Sequence, residues 1–222
     1  MSLILNIDTS LETAVVNIAD NGTVVLEQLN PQQKNHSAFL ENAIQKILVE
    51  ARLQLGDLSA FAAVSGPGSY TGLRIGMASV KALCYALQKP LILLNKLELL
   101  SVSAIQQNKD ISESALLCPM IDARRMEVFT GLYNKVIEEM MTPCAMVLEE
   151  NSFAKTLELN QMLFFGNGSL KWRGVCNHKN ARFIEIKNEG QAMASLSMER
   201  FHNQCFSDVV YASPLYLKEF FI

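Results

Sequence analysis

The sequence predicts an α/β protein in two lobes, each a mixed sheet with flanking helices. Three observations carry that prediction. Residues 3–29 hold three short apolar runs, the last two separated by Asp20-Asn21-Gly22. An apolar run at 61–65 passes through a glycine-rich loop into a helix-periodic stretch and a further apolar run at 91–94, the spacing of a βαβ unit. A polar stretch, Asn108–Ser114, precedes a new strand that ends in Ile121-Asp122, as the first strand ends in Ile7-Asp8.

Each element follows from local pattern. Leu3–Ile7 and Ala14–Ile18 alternate side chains as strands do, and Thr23–Leu29 resumes after Asn21-Gly22, a pair suited to the positive φ angles of a tight hairpin. Apolar residues at helical spacing from about Ser37 to Leu53 predict the first helix, with Ser37 as N-cap and Gly56 as breaker. Phe61–Ser65 is a buried strand, about Gly72–Gln88 the second helix, Leu91–Leu94 a parallel strand and Lys96–Gln107 the third helix. Beyond the polar stretch come strands Leu116–Ile121, Glu127–Tyr133 and Met162–Phe165, the turn Gly166-Asn167-Gly168, a weak strand at Phe183–Ile186 and a helix over about Gln191–Phe206. The lobes are placed at 1–108 and 109–222, with the C-terminal tail packing back on the first.

Composition narrows the function. Of 222 residues, 50% are hydrophobic and 18% charged, ample for a core and unlike a disordered chain. A net charge of −3 argues against a broad basic surface that would hold nucleic acid unaided. No apolar run reaches membrane-span length, and the first strand begins without a charged, apolar leader, so a cytoplasmic protein is expected. Cys84, Cys118, Cys144, Cys176 and Cys205 are widely spaced and read as reduced core thiols. With three histidines and one tryptophan, few groups remain for catalysis.

Several motifs carry two readings. Gly66-Pro67-Gly68-Ser69-Tyr70-Thr71-Gly72 joins a strand to a helix, where glycine permits close approach and a helix start offers free N–H groups. It suits an anion or a partner segment, and equally a tight turn; without a following Lys-Ser/Thr it is not a P-loop. Small residues Gly72, Gly76 and Ser79, with Ala78, Ala82 and Ala86, let a neighbour approach the second helix, whether its own sheet or another chain. Asp8-Thr9-Ser10 could face a phosphate or metal, or close a turn on its own backbone. Arg124 or Arg125, after Asp122, could pair a phosphate, a partner carboxylate or an acid in the other lobe. His36 has no partner three or four residues on, where Phe39 and Leu40 stand, and His178 and His202 are expected at the surface. No cysteine or serine has a nucleophile's setting.

Together, Ile4–Ser10, His36-Ser37, Ser65–Gly76, Ile121–Arg125 with Glu127-Val128, and the closing Pro214–Lys218 resemble the TsaB (YeaZ) family over nearly the whole chain. That resemblance implies an actin-like (ASKHA, ribonuclease-H-like) fold. It implies a non-catalytic partner of TsaD, the paralogue that transfers a threonylcarbamoyl group to N6 of adenosine 37 in tRNAs reading codons that begin with A. By the same resemblance a TsaE-like ATPase joins the pair, TsaC supplies the threonylcarbamoyl adenylate, and a homodimer in isolation is open to the chain. Metal and ATP are expected on the partner subunits, none in this chain, and tRNA only through the complex. The implied docking surface is the first lobe's helix pair, about Ser37–Ala51 and Gly72–Leu87. Its contact residues are Phe39, Leu40, Ala43 and Ile47 on the first helix, then Gly72, Leu73, Gly76, Met77, Val80 and Leu83 on the second.

Where kinases of this fold place glycine beside the strand-end acid, this sequence has Leu11 and Arg124, which obstruct a triphosphate. Gly166-Asn167-Gly168 leaves weak nucleotide binding open. The alternatives are a small-molecule kinase or ATPase of the same fold, motivated by Asp8 and Asp122, and a glycoprotease-like metallopeptidase, motivated by family naming.

Overall fold

A computed structural model describes residues 2–32 and 35–218. In the first sheet, β1 (Leu3–Asp8), β2 (Ala14–Asp20) and β3 (Thr23–Asn30) form the expected antiparallel meander. Asn21 and Gly22 turn it with φ of 48° and 81°, as an Asn-Gly hairpin requires. β4 (Ala60–Gly66) and β5 (Leu91–Asn95) extend β1 in parallel, giving the order β3-β2-β1-β4-β5. The crossover helix is α2 (Tyr70–Leu87), and α1 (His36–Ala51) packs beside it.

All six residues of β1 are buried, because both faces of the sheet are covered. Leu3, Leu5 and Ile7 join a cluster with Leu40, Ala43 and Ile47 of α1 and Val80 of α2. On the other face Asn6 bonds Asn17, whose amide reaches the Gly190 carbonyl at the start of α6 (Gly190–His202). The edge strand β3 is exposed at alternate positions, with Val25 and Leu29 about half exposed.

The second sheet repeats the first. β6 (Leu116–Asp122), β7 (Glu127–Tyr133) and β8 (Glu139–Val147) are antiparallel, and β9 (Met162–Phe165) and β10 (Ala181–Phe183) continue from β6 in parallel. The order β10-β9-β6-β7-β8 is the same path through space as the first sheet, so the Ile-Asp restart reports a duplicated unit. α4 (Ala154–Leu159) and α5 (Ser169–Arg173) occupy the places of α1 and α2, reduced to one or two turns. Trp172, Phe164 and Phe153 meet edge-on in this core.

Several expectations need correction. The units divide not at 108/109 but at Lys96, near the start of α3 (Lys96–Gln107): one unit takes the chain up to Lys96 with Gly190–Leu215, the other Leu97–Glu189 with the chain from Tyr216. The stretch at 108–114 is a connection exposed at most positions, with Ile111 buried, since polar composition marks contact with water and not the end of a unit. Ser37 lies inside the first turn of α1, Asn35 holds the cap position without a side-chain bond, and Arg52 in the left-handed region ends the helix. α2 begins at Tyr70, two residues before Gly72, because the Ser69 hydroxyl accepts from the Gly72 amide. The strand expected at 183–186 lies at Ala181–Phe183, and α6 stops at His202.

β8, α4 and α5 were not anticipated. Cys84 and Cys118 are buried, which pushes both thiols up to about 12, but Cys144 and Cys176 are half-buried and Cys205 is exposed; all five are free. Among the described residues no helix is long and apolar enough to cross a membrane.

Candidate functional site

The two motifs of the first unit interlock. The β1 end, Asp8-Thr9-Ser10, is fully buried, and the loop after β4 wraps onto it. The Ser69 amide donates to the Ser10 carbonyl at 2.7 Å, and the Thr9 hydroxyl to the Gly72 carbonyl at 2.7 Å. A Cβ on Gly68 would strike the Ser10 carbonyl, one on Gly72 the Thr9 carbonyl, and one on Gly76 would lie 2.5 Å from Thr9 Oγ1. Gly66, at φ 125°, precedes a cis bond to Pro67, and its Cβ would stand 2.7 Å from the Leu215 carbonyl. The glycines are therefore used for close approach within the chain, the plainer of the two readings.

Asp8 is committed in the same way. Its Oδ1 accepts from the amide and hydroxyl of Ser10, at 2.8 and 2.6 Å, while its Oδ2 takes the Lys96 ammonium at 2.6 Å. Both side chains of that ion pair are almost wholly buried. A carboxylate so held could bind a metal or orient a phosphate only by breaking a buried pair. The sequence does signal Lys96, a lysine opening a helix straight after a buried strand, but its role was not foreseen.

Asp122 repeats the arrangement on the second unit, closer to water. Its Oδ1 accepts from the Arg124 amide at 2.6 Å and the Lys171 ammonium at 2.7 Å, and its own amide donates to Asn167. Partial burial opposes its ionisation, yet the Lys171 and Arg124 hydrogen bonds outweigh it and hold the carboxyl below its ordinary value. Gly166 and Gly168 again lie where a Cβ would strike the strand end, at Met120 and Ile121. Arg124 is exposed and carries a positive φ.

The proposed docking residues fall mostly on the wrong side of their helices. Leu40, Ala43, Ile47, Gly72, Leu73, Gly76, Met77 and Val80 are buried within their own unit, and only Phe39 and Leu83 are partly accessible. Apolar periodicity identified the buried stripe, as it does for any helix packed on a sheet. The outward stripe of α2 is Thr71, Arg74, Ala78, Ala82, Tyr85 and Ala86, with Ile75 and Ser79 at its margin. An open groove on this side is lined by Ser37, Tyr70, Arg74, Ile75, Ala78 and Ser79, and the Arg74 guanidinium stacks 3.8 Å from the Tyr70 ring.

His36 is buried at the start of α1, its Nε2 2.9 Å from the Leu11 carbonyl, and its Nδ1 has no hydrogen-bond partner among the described residues. His178 is partly buried and His202 exposed. Among the described residues no group of three or more His, Cys, Asp or Glu is placed to hold a metal.

Comparison with known proteins settles the family. The model of TsaD, tRNA N6-adenosine threonylcarbamoyltransferase, matches residues 23–199, most of the chain. The chain belongs to the TsaD family. Two relatives similar to this chain carry the name "tRNA threonylcarbamoyladenosine biosynthesis protein TsaB". That of Bacillus subtilis is 35% identical over 141 residues, 62% of this chain and 59% of that protein. That of Escherichia coli is 32% identical over 133 residues, 60% and 55% of the two lengths. The chain thus matches a little over half the length of these relatives.

A Pseudomonas aeruginosa protein described as similar to peptidase YEAZ has the same fold, with a TM-score of 0.83 over 98% of this chain and 100% of that one, at 23% identity. The inorganic polyphosphate/ATP-glucomannokinase of an Arthrobacter species shares the fold at a TM-score of 0.54, over 91% and 100% of the chains, at 10% identity. The resemblance to the TsaB (YeaZ) family and the two-lobed actin-like fold are thereby borne out.

Proposed function

We propose that this member of the TsaD family is a TsaB-type subunit. It supports a TsaD-type transferase in forming N6-threonylcarbamoyladenosine at position 37 of tRNAs reading codons that begin with A, and performs no chemistry itself. The observation that carries the non-catalytic part is the closed strand end: both Asp8 oxygens are occupied, and the glycines around them are filled by the chain's own backbone. The two TsaB-named relatives support the role in tRNA modification. ATP and metal then belong to the partners, a TsaE-like ATPase among them, and tRNA is met in the assembly.

The partner-facing surface is the outward stripe of α2 and the groove beside α1, in place of the buried stripe. Small Ala78, Ala82 and Ala86 permit close helix approach, with Phe39, Ile75 and Leu83 at the margin. A second copy of this chain could use the same stripe in isolation. Co-purification with the transferase of the same cell tests this. The Ala78→Arg/Ala82→Arg double variant should keep its melting temperature and lose the transferase; retention of the complex would overturn the surface. Gly76→Arg is no test, since a side chain there collides with Thr9.

The rival reading is a small-molecule kinase, favoured by the fold shared with the glucomannokinase. Calorimetry with ATP and Mg²⁺ decides between them: micromolar binding with turnover by the isolated chain would establish the kinase reading.

A further inference from the structure

We infer that the β6–β7 turn is a phosphate contact for RNA, made by Arg124 and Arg125. This rests on the reading above that an RNA is the substrate of the assembly, and gives the chain a direct contact with it. Two consecutive arginines adopt positive φ, 70° and 48°, in a turn closed by the Ala123 amide on the Glu127 carbonyl and the Glu127 amide on the Arg124 carbonyl. Such a conformation is costly for any residue with a Cβ, and glycine would hold the turn more easily. The side chains present there serve no packing role, since both are exposed.

The charges around the turn are unequal. Its two carboxylates are already matched by lysines, Asp122 by Lys171 at 2.7 Å and Glu127 by Lys218. Neither Arg124 nor Arg125 makes a side-chain hydrogen bond or ion pair among the described residues, although the Arg124 charge helps to keep Asp122 ionised. Two consecutive residues therefore expose guanidiniums to water on a chain whose net charge is −3. Planar guanidinium forks match phosphate oxygens bidentately, and a phosphodiester backbone offers successive anions to adjacent forks. Glu149 and Glu150 are brought toward the turn through β8, since they follow Leu148, whose amide bonds the Met126 carbonyl. They weaken the field at the turn, and removing them should strengthen RNA binding.

The test uses the full chain in its complex with the transferase, and a short fluorescent RNA hairpin in anisotropy titrations across a salt series. Arg124→Gly/Arg125→Gly removes both guanidiniums while easing the backbone, so its melting temperature should hold or rise. Its RNA affinity should fall several-fold at low salt, with the slope of log K against log salt shallower by about 2, close to one phosphate contact per arginine. Glu149→Gln/Glu150→Gln should raise affinity. Equal affinity and slope for parent and glycine variant, no RNA binding by the parent, or preference for a polyglutamate probe would each overturn the inference. The last would assign the turn to an acidic protein segment. Loss of transferase binding with RNA binding intact would instead count against the proposed function alone.

Discussion

At the residue scale, the strand-end aspartates decide how the sequence is understood. Asp8 and Asp122 stand at equivalent ends of duplicated sheets, and each closes a turn on the amide two residues ahead while pairing with a lysine. Sequence pattern located both acids but not their lysines, because the Asp8–Lys96 pair joins residues 88 apart in the chain. Asp8→Asn or Lys96→Met alone should cost about 3–5 kcal/mol in urea unfolding, since each strands a buried charge, and the double variant should cost less than the sum. Strict additivity would show the pair to be uncoupled. Gly72→Ala should cost about 1–3 kcal/mol, because its Cβ meets the backbone carbonyl of Thr9, which cannot rotate away. Asp122, with its depressed pKa, adds stability that is present above its unfolded value and lost as pH falls through the folded one. Asp122→Asn should accordingly flatten the fall in stability below about pH 4, and an unchanged acid limb would remove the pair from the account.

At the element scale, the helices show which signals a sequence transmits. The 3.6-residue period marks a helix and its apolar stripe but not the object that the stripe faces. For α2 the object is its own sheet, which is why Gly76, Met77 and Val80 are buried and Ala78 and Ala82 face outward. Strong alternation made β1, β2 and β7 legible. β8 lacked it, with Pro143 in a run of partly exposed residues that only an edge strand tolerates. α4 and α5, at 6 and 5 residues, are too short to display a period.

The segment after α6 has no regular pattern, yet it is fastened along α2 and β4. Lys81 donates to the Val210 and Ala212 carbonyls, and the Leu215 amide donates to Ser65. Val209 and Ala212 also pack on the first core. Ending the chain before Asp208 should lower stability by about 2–3 kcal/mol from those bonds and that apolar area, read by urea unfolding. An unchanged midpoint would mean that the segment is merely draped on the unit.

At the scale of the whole molecule, duplication was legible from one repeated dipeptide, Ile-Asp, while the division into units was not. The chain enters its second unit at Leu97 and returns to the first at Gly190, and no composition shift announces either crossing. The candidate site was half legible. Its motifs stand out by spacing, but the glycine loop and the Asp-Thr-Ser turn consume one another's binding capacity through contacts between residues far apart in the chain, as in the Thr9–Gly72 bond, whose partners lie 63 residues apart. A fold shared with a kinase has here had its first strand end closed by a lysine, while the outward helix stripe and the arginine turn stay exposed. The most direct test is tRNA modification by the family transferase, reconstituted with its ATPase and threonylcarbamoyl donor, with and without this chain. Product is expected only when parent chain is added, none with Ala78→Arg/Ala82→Arg, and undiminished product with Asp8→Asn/Lys96→Met wherever that variant is folded. Equal modification without the chain, or loss of product in the folded Asp8→Asn/Lys96→Met variant with the complex intact, would contradict this expectation.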